Sequence, residues 1–251
     1  MAAVKPLLVT RGLSRHFGGL KAVDGVDFEL PEGEIRAIIG PNGAGKTTFV
    51  GLVCGRVAPS SGTISFDGAD ITGMPAHQRV GLGIAYTFQI TSVYANLTVF
   101  DNVALAVQRR LSGRASGGRF SRRDLERGVA DALVRVHLSD RVDMEAGKLA
   151  YGHQRLLEIA MGLAIGPRLL ILDEPTQGLS DSEIESFVAL VKEIATGATV
   201  LLIEHNMDVV MALADRITVM SAGRVLAEGT PDAIRADAAV QHAYLGTPED
   251  A

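Results

Sequence analysis

Cysteine is nearly missing from this 251-residue chain: Cys54 is the only one. A single thiol closes no internal disulfide, so the fold has to stand on its apolar core, and a reducing compartment is the expected setting. On the helix expected around it, Cys54 reads as a small core residue rather than a reactive thiol. No run of about 18 apolar residues occurs, so the chain is not expected to span a bilayer by itself. The first residues lack the charged-then-apolar pattern of an export signal. There is no internal repeat and no long low-complexity tract. An excess of positive charge is lacking too. Lys and Arg number 24 against 29 Asp and Glu, a net charge of −5, which gives no global reason to expect a nucleic-acid partner. What remains is 47% apolar and 21% charged, an ordinary globular composition, long enough for one large domain or a domain with an appended lobe.

Glycine, by contrast, stands where a phosphate would need it. Gly40-Pro41-Asn42-Gly43-Ala44-Gly45-Lys46-Thr47-Thr48 fits the phosphate-loop pattern G-x-x-x-x-G-K-[ST] at every fixed position. Residues 35–39 before it form a short β-branched run expected as a buried strand. Apolar spacing over 49–57 predicts a helix after it. The loop is therefore expected at a strand-to-helix turn. Its glycines let the backbone approach a ligand, and the helix presents free N–H groups and its positive dipole end to an anion. In this pattern Lys46 reaches the β- and γ-phosphates and the Thr47 hydroxyl ligates Mg²⁺. The alternative, a Gly-rich loop without function, does not account for strand, loop, lysine and threonine together. The motif implies a nucleoside triphosphate and leaves open what its energy drives.

Upstream, residues 7–10 and 22–30 read as strands of a hairpin-like segment around Gly18-Gly19. Phe17, beside those glycines, is either core or a stacking platform for a base. Downstream, Pro59-Ser60-Ser61-Gly62 is expected to break the chain, 63–66 to form a short strand, and 79–88 to end in another. Gln89, at that end, is either a surface amide or a carbonyl aimed at a metal. From Leu97 to Ala164 the character is helical, with three- and four-residue apolar spacing over 98–108, 125–138 and 153–165. This block reads as an all-helical lobe inserted into an α/β core. Residues 111–127 are rich in Ser, Gly and Arg, and seven arginines lie between Arg109 and Arg127. They read as a solvated loop or as a contact with anionic lipid headgroups.

Leu169-Leu170-Ile171-Leu172-Asp173-Glu174 is four apolar residues followed by two carboxylates, as expected of a strand buried on both faces of a parallel sheet. Ligands in open α/β sheets sit beyond the carboxyl ends of the strands. Asp173 is thus placed to hold Mg²⁺, and Glu174 to orient and polarise an attacking water. Two adjacent buried carboxylates repel each other unless a cation is shared. A helix over 182–194, capped by Ser180 or Asp181, leads to a buried strand over 199–203 with Glu204-His205 at its end. His205 falls in the same layer as Asp173, within reach of a γ-phosphate. A hairpin over 217–228 and short helices after Thr230-Pro231 complete the chain.

Taken together these motifs resemble the nucleotide-binding subunit of ATP-binding-cassette (ABC) transporters, over essentially the whole chain. Walker A is Gly40 to Thr48, the glutamine loop is Thr87-Phe88-Gln89, Walker B is Leu169 to Asp173 with Glu174 as general base, and His205 is the switch histidine. Leu149-Ala150-Tyr151-Gly152-His153 occupies the place of the LSGGQ signature. Leu179 and Ser180 fall in the D-loop, and Phe17 aligns with the ring that stacks on adenine. The resemblance is closest to importers of branched-chain and other hydrophobic amino acids. It rests on Phe17-Gly18-Gly19-Leu20-Lys21-Ala22-Val23, on the stretch from Gly83 to Gln89, on Leu97-Thr98-Val99-Phe100-Asp101-Asn102-Val103, on Leu156-Leu157-Glu158-Ile159-Ala160 and on Ala243-Tyr244-Leu245-Gly246.

The resemblance implies an α/β fold: a P-loop NTPase core of ABC type with a mostly parallel central sheet, an N-terminal antiparallel β subdomain and an inserted α-helical subdomain. Residues 1–89 and 166–251 would form the nucleotide-binding core and 90–165 the helical signature subdomain. It implies ATP and Mg²⁺, the latter held by Thr47, Gln89 and Asp173. Expected partners are a second cassette, alike or sister, integral-membrane permease subunits, and indirectly a periplasmic or extracellular substrate-binding protein, all at the cytoplasmic face of the cell membrane. A soluble cassette acting on nucleic acid or ribosomes, and a regulatory cassette, are the other classes. The first is opposed by the single cassette and acidic charge, the second by Glu174 and His205. One departure stands out. Ala150, Tyr151 and His153 replace the family's serine, first glycine and glutamine, so the hydroxyl expected to reach the γ-phosphate of the opposite subunit is missing.

Overall fold

The computed structural model of the chain describes residues 5–87, 92–114 and 120–245. Two sheets organise them. β1 (Pro6–Phe17) and β2 (Leu20–Pro31) turn back on each other at Gly18-Gly19. With β4 (Ser61–Phe66) and β5 (Ala69–Asp70) they form an antiparallel sheet of order β2-β1-β4-β5. The second sheet is built from β3 (Ile35–Ile39), β6 (Ile84–Thr87), β7 (Leu169–Asp173), β8 (Thr199–Ile203), β9 (Arg216–Ser221) and β10 (Arg224–Gly229). Its order is β10-β9-β3-β8-β7-β6. Every pairing from β9 across to β6 is parallel, and only β10 runs antiparallel at the edge.

Strands β3, β7 and β8 are buried at every residue, so they carry unbroken apolar runs instead of alternation. The two-residue period survives in where the side chains go. Leu170, Leu172, Val200 and Leu202 join a core with α5 (Tyr151–Ala164) and α6 (Asp181–Ala195). Leu169, Ile171, Leu201 and Ile203 face the opposite way, onto α1 (Lys46–Val53) and the antiparallel sheet. A smaller cluster closes the β9 end beneath α7 (Met207–Leu213), α8 (Pro231–Ala236) and α9 (Ala238–Leu245).

The chain leaves the sheet at Thr87 and returns at Leu169 on the neighbouring strand. Between these points α3 (Val99–Arg114), α4 (Arg122–Arg135) and α5 pack on one another, with Val103, Val107, Val129, Leu133, Leu157 and Ala160 in one core. No described helix is long and apolar enough to cross a membrane.

Several expected boundaries move. β1 does not stop at Thr10. It continues to Phe17 through a register shift at Gly12, whose φ of +53° marks an irregularity that breaks the alternation. β4 begins at Ser61, so Gly62 lies inside a strand rather than in a break. It can do so because Gly12's carbonyl presses within 2.4 Å of where a Cβ would be. α1 ends at Val53, not at 57: Gly55 turns at φ +74°, where a side chain would meet Arg79 and the Met74 carbonyl. Part of the Ser/Gly/Arg stretch is helix. α3 runs to Arg114 and α4 starts at Arg122, behind Ser121, whose hydroxyl accepts from the Asp124 N–H. Arginine is a good helix former, and the apolar face simply continues beneath it. A further short helix, α2 (Ala76–Gly81), precedes β6.

Candidate active site

Residues 40–45 are the turn between β3 and α1. Gly40 and Gly45 take φ of +153° and +99°, and a Cβ on either would lie 2.2 Å from a backbone oxygen, that of Met220 or of Ala22. The turn is thus pressed against its backing strands so closely that only glycine fits. At Gly43 (φ +79°) none of the described residues stands within 4 Å of a Cβ position. Ala44 is buried behind it and accepts from the Gly223 N–H at 3.0 Å, while Pro41 is half-buried and Asn42 exposed. Thr47 and Thr48 follow in the first turn of α1, which carries no acidic residue and no side-chain cap. That helix end keeps its N–H groups and dipole for an anion. Lys46 is buried, and its Nζ donates to the carbonyls of Gly40 (2.6 Å) and Pro41 (3.1 Å). Burial holds its ammonium below the usual lysine range, while the carboxylates of Glu174 and Asp173 work against that shift.

Those two carboxylates are not equivalent. Asp173, the last residue of β7, is 1% exposed, and Oδ2 accepts from the Tyr86 hydroxyl at 2.7 Å. Burial raises its pKa and the Tyr86 bond opposes the rise. Glu174 leaves the strand at φ +46°, a region costly for any residue with a Cβ, fixed by its N–H donating to the Ile203 carbonyl at 2.8 Å. The expectation of two buried carboxylates holds only for Asp173; at the backbone turn Glu174 is half-buried.

Across β8, Glu204 is buried and accepts from the N–H groups of Thr176 (3.0 Å), His205 (2.9 Å) and Asn206 (3.1 Å), and from the Thr176 hydroxyl. One carboxylate thus ties the segment after Glu174 to His205, whose side chain stays 62% exposed. Asn206 caps α7, its side chain accepting from Asp208 and Val209.

At the start of α5, Ala150 occupies the N-cap and offers no side-chain bond. Leu149 is buried behind it. The Tyr151 ring lies over Gly178, whose Cβ would be 3.1 Å from Tyr151 Cε1, and Gly152 lies beneath the carboxylate of Glu183. Glu183 in turn accepts from the Ser180 N–H at 2.9 Å and hydroxyl at 2.7 Å. Leu149 to His153 and the Leu179-Ser180 corner are thereby one contiguous surface. His153 Nδ1 is buried there without a hydrogen-bond partner among the described residues. Phe17 ends β1 with 47% of its surface exposed and the Arg15 guanidinium 4.4 Å over its ring, which removes the core alternative. Gln89 lies outside the described residues.

Sequence reasoning missed Arg155. It is 2% exposed, donates to the carbonyls of Asp173 (2.7 Å) and Pro175 (3.3 Å), and pairs with Glu158 at 2.6 Å. The available signal was an Arg and a Glu three apart on the apolar side of α5. Tyr86 and Glu204 were visible as residues but not as holders of Asp173 and His205.

A family model described as ABC transporter matches residues 23–177, from β2 through the phosphate turn to the segment beyond Glu174. The chain belongs to the family of ABC transporter ATP-binding subunits. A second model, described as a branched-chain amino acid ATP-binding cassette transporter, matches residues 224–250 of this cassette. It is 40% identical over 251 residues to the high-affinity branched-chain amino acid transport ATP-binding protein BraF of Pseudomonas aeruginosa, covering 96% of this chain and 98% of that one. To LivG of Escherichia coli, which carries the same description, it is 39% identical with the same coverage. The crystal structure of an ABC transporter cassette in its ADP conformation superposes with a TM-score of 0.85 at 29% identity, over 96% of this chain and 99% of that one. The cassette binds and hydrolyses ATP, and it is closely related to ATP-binding proteins of branched-chain amino acid transport. Its oxygen donors suit magnesium: the exposed Thr47 hydroxyl and the buried Asp173 carboxylate are the hard ligands that ion takes with phosphate. Among the described residues no group of three His, Cys, Asp or Glu could hold a metal ion.

Proposed function

We propose that the cassette powers import of branched-chain or related hydrophobic amino acids, closing head-to-tail with a second cassette around two Mg·ATP. What supports the chemical part is that β7 and β8 run parallel to β3 and lead into Asp173-Glu174 and Glu204-His205 at the end where β3 leads into the phosphate turn. Lys46 and the N–H groups of residues 40–48 bind the phosphates, and the Phe17 ring stacks on the base. Thr47, Asp173 and Gln89 hold Mg²⁺, which supplies charge neutralisation at the transferring phosphoryl group. Glu174 takes a proton from the attacking water, and His205 braces the γ-phosphate. The surface from Leu149 to His153, with Leu179 and Ser180, faces the nucleotide of the other cassette. In this reading residues 1–89 and 166–251 act as the nucleotide-binding core and 90–165 as the signature subdomain.

The permease docks beside the segment that follows Gln89. Two features support this. Tyr94 is 57% exposed, and its backbone is held from behind by the buried Asn102, whose Oδ1 accepts from the Tyr94 N–H at 2.8 Å and whose Nδ2 donates to the Tyr94 and Thr98 carbonyls. The cassette then sits peripherally on the cytoplasmic face of the membrane and reaches the substrate-binding protein only through the permease. Affinity purification from solubilised membranes is expected to bring down integral-membrane chains and a second cassette. Proteoliposomes of that complex are expected to take up leucine with ATP and a binding protein. Recovery of ribosomes or nucleic acid instead would contradict the reading.

A further inference from the structure

At the end of the sheet away from the phosphate turn, a cleft of about 460 Å³ opens beside the first residues of β6 and β7. The length of β7 separates it from Asp173, roughly 15 Å. Arg109 and Arg110 of α3 and Arg168 line it, with the backbones of Gly81, Gly83 and Gly166. Arg168 is already matched, donating to Glu32 at 2.8 Å and Asp67 at 2.7 Å. The α3 pair is not. Among the described residues Arg109 makes one bond, to the His77 carbonyl at 3.1 Å, and buried Arg110 Nε finds no partner. Neither has a carboxylate partner among the described residues. Each guanidinium carries five N–H donors, of which the described bonds use one on Arg109. Helices α2 and α5 end at the cleft, where their last carbonyls attract cations, whereas the described bond of Arg109 goes to a first-turn carbonyl of α2, that of His77.

We propose that this cleft binds a phosphoryl group through the forked donors of Arg109 and Arg110. Guanidinium favours that anion geometrically, and the volume is that of a small-ligand site. The group comes from a lipid headgroup or from a soluble phosphate ester. The site is separate from the ATP site and does not depend on which cargo is imported.

The test uses the full chain with a non-hydrolysable ATP analogue filling the phosphate turn. Flotation is measured with phosphatidylcholine vesicles with and without phosphatidylglycerol, and glycerol 3-phosphate binding by ligand-observed NMR. Flotation only with phosphatidylglycerol identifies a lipid headgroup; saturable glycerol 3-phosphate binding identifies a soluble ester. In either case R109Q/R110Q weakens the interaction at least about tenfold, and R123Q/R127Q, outside the cleft, much less. Should R109Q/R110Q not fold, R109K/R110K, which keeps the charge and loses the fork, is expected to weaken binding measurably. Binding of neither probe overturns the proposal. So does equal loss in R123Q/R127Q, or a variant that lowers the melting temperature while binding as tightly as wild type, the signature of arginines that only cap helix ends.

Discussion

Arg155 reaches from α5 to the backbone of Asp173, its Nη2 donating to the Asp173 carbonyl oxygen at 2.7 Å. The helix that opens with Ala150 and Tyr151 is therefore bonded to the strand whose last side chain faces the phosphate turn. Movement of one carries the other. In the proposed mechanism, where α5 faces the other cassette and Asp173 its own nucleotide, this bond would couple the two sites.

The variant R155M removes both carbonyl bonds and the ion-pair partner of Glu158, which is 5% exposed. Breaking a buried pair on one side costs about 3–5 kcal/mol, so denaturant unfolding should show a loss of that order. R155M/E158L should recover much of the stability, since an apolar pair replaces the ionic one. ATPase activity should stay low in both, because the link to Asp173 is still missing. Restored activity in the double variant would mean that Arg155 serves stability alone.

Much of this site was legible in the sequence because it is built from backbone and short-range patterns. Gly40 to Thr48 announce a strand-to-helix turn, and Leu169 to Asp173 a doubly buried strand; both strands are found at their expected limits, while the helix starts three residues earlier, at Lys46. What was not legible is contact between distant segments. Nothing in the spacing of Glu204 shows that it holds Thr176, 28 residues earlier. Nothing near Tyr86 points to Asp173, 87 residues later. The bend at Gly12 and the helical ends of the arginine-rich stretch were missed for a different reason. There the local pattern favoured a break, and packing along β1 and beneath α3 overrode it.

Asp173 is expected to cost stability. Its buried carboxyl has a pKa above the ordinary carboxylate range, so the folded state holds its proton to higher pH than the unfolded chain. The contribution favours folding below the unfolded pKa and is lost as pH rises through the raised folded value. At neutral pH, in the absence of nucleotide and metal, D173N should therefore be more stable than wild type, by about 0.5–2 kcal/mol, while losing ATPase activity. The difference should shrink as the pH is lowered toward the ordinary aspartate range. Calorimetry across pH checks this; equal stability at neutral pH would show that the Tyr86 bond fully offsets the burial.

Ala150 caps α5 without a side-chain bond, and A150S separates two roles of that position. As a helix cap, serine should raise stability by about 1 kcal/mol. As a group facing the other cassette's γ-phosphate, its hydroxyl should also tighten ATP-dependent association of cassettes, by roughly tenfold for one bond to a charged group. Sedimentation of the ATP-bound protein measures the second effect. A rise in melting temperature with unchanged association would place Ala150 away from the partner's nucleotide.

The account turns on Glu174, held at φ +46° beside the buried Asp173 and itself half-buried. E174Q keeps the shape of the side chain and removes its capacity to take a proton. The most direct measurement is steady-state ATP hydrolysis by E174Q together with its ATP affinity. Retained binding with turnover lowered at least about 10²-fold is the predicted result; near-normal turnover would contradict the assignment of Glu174 as the general base.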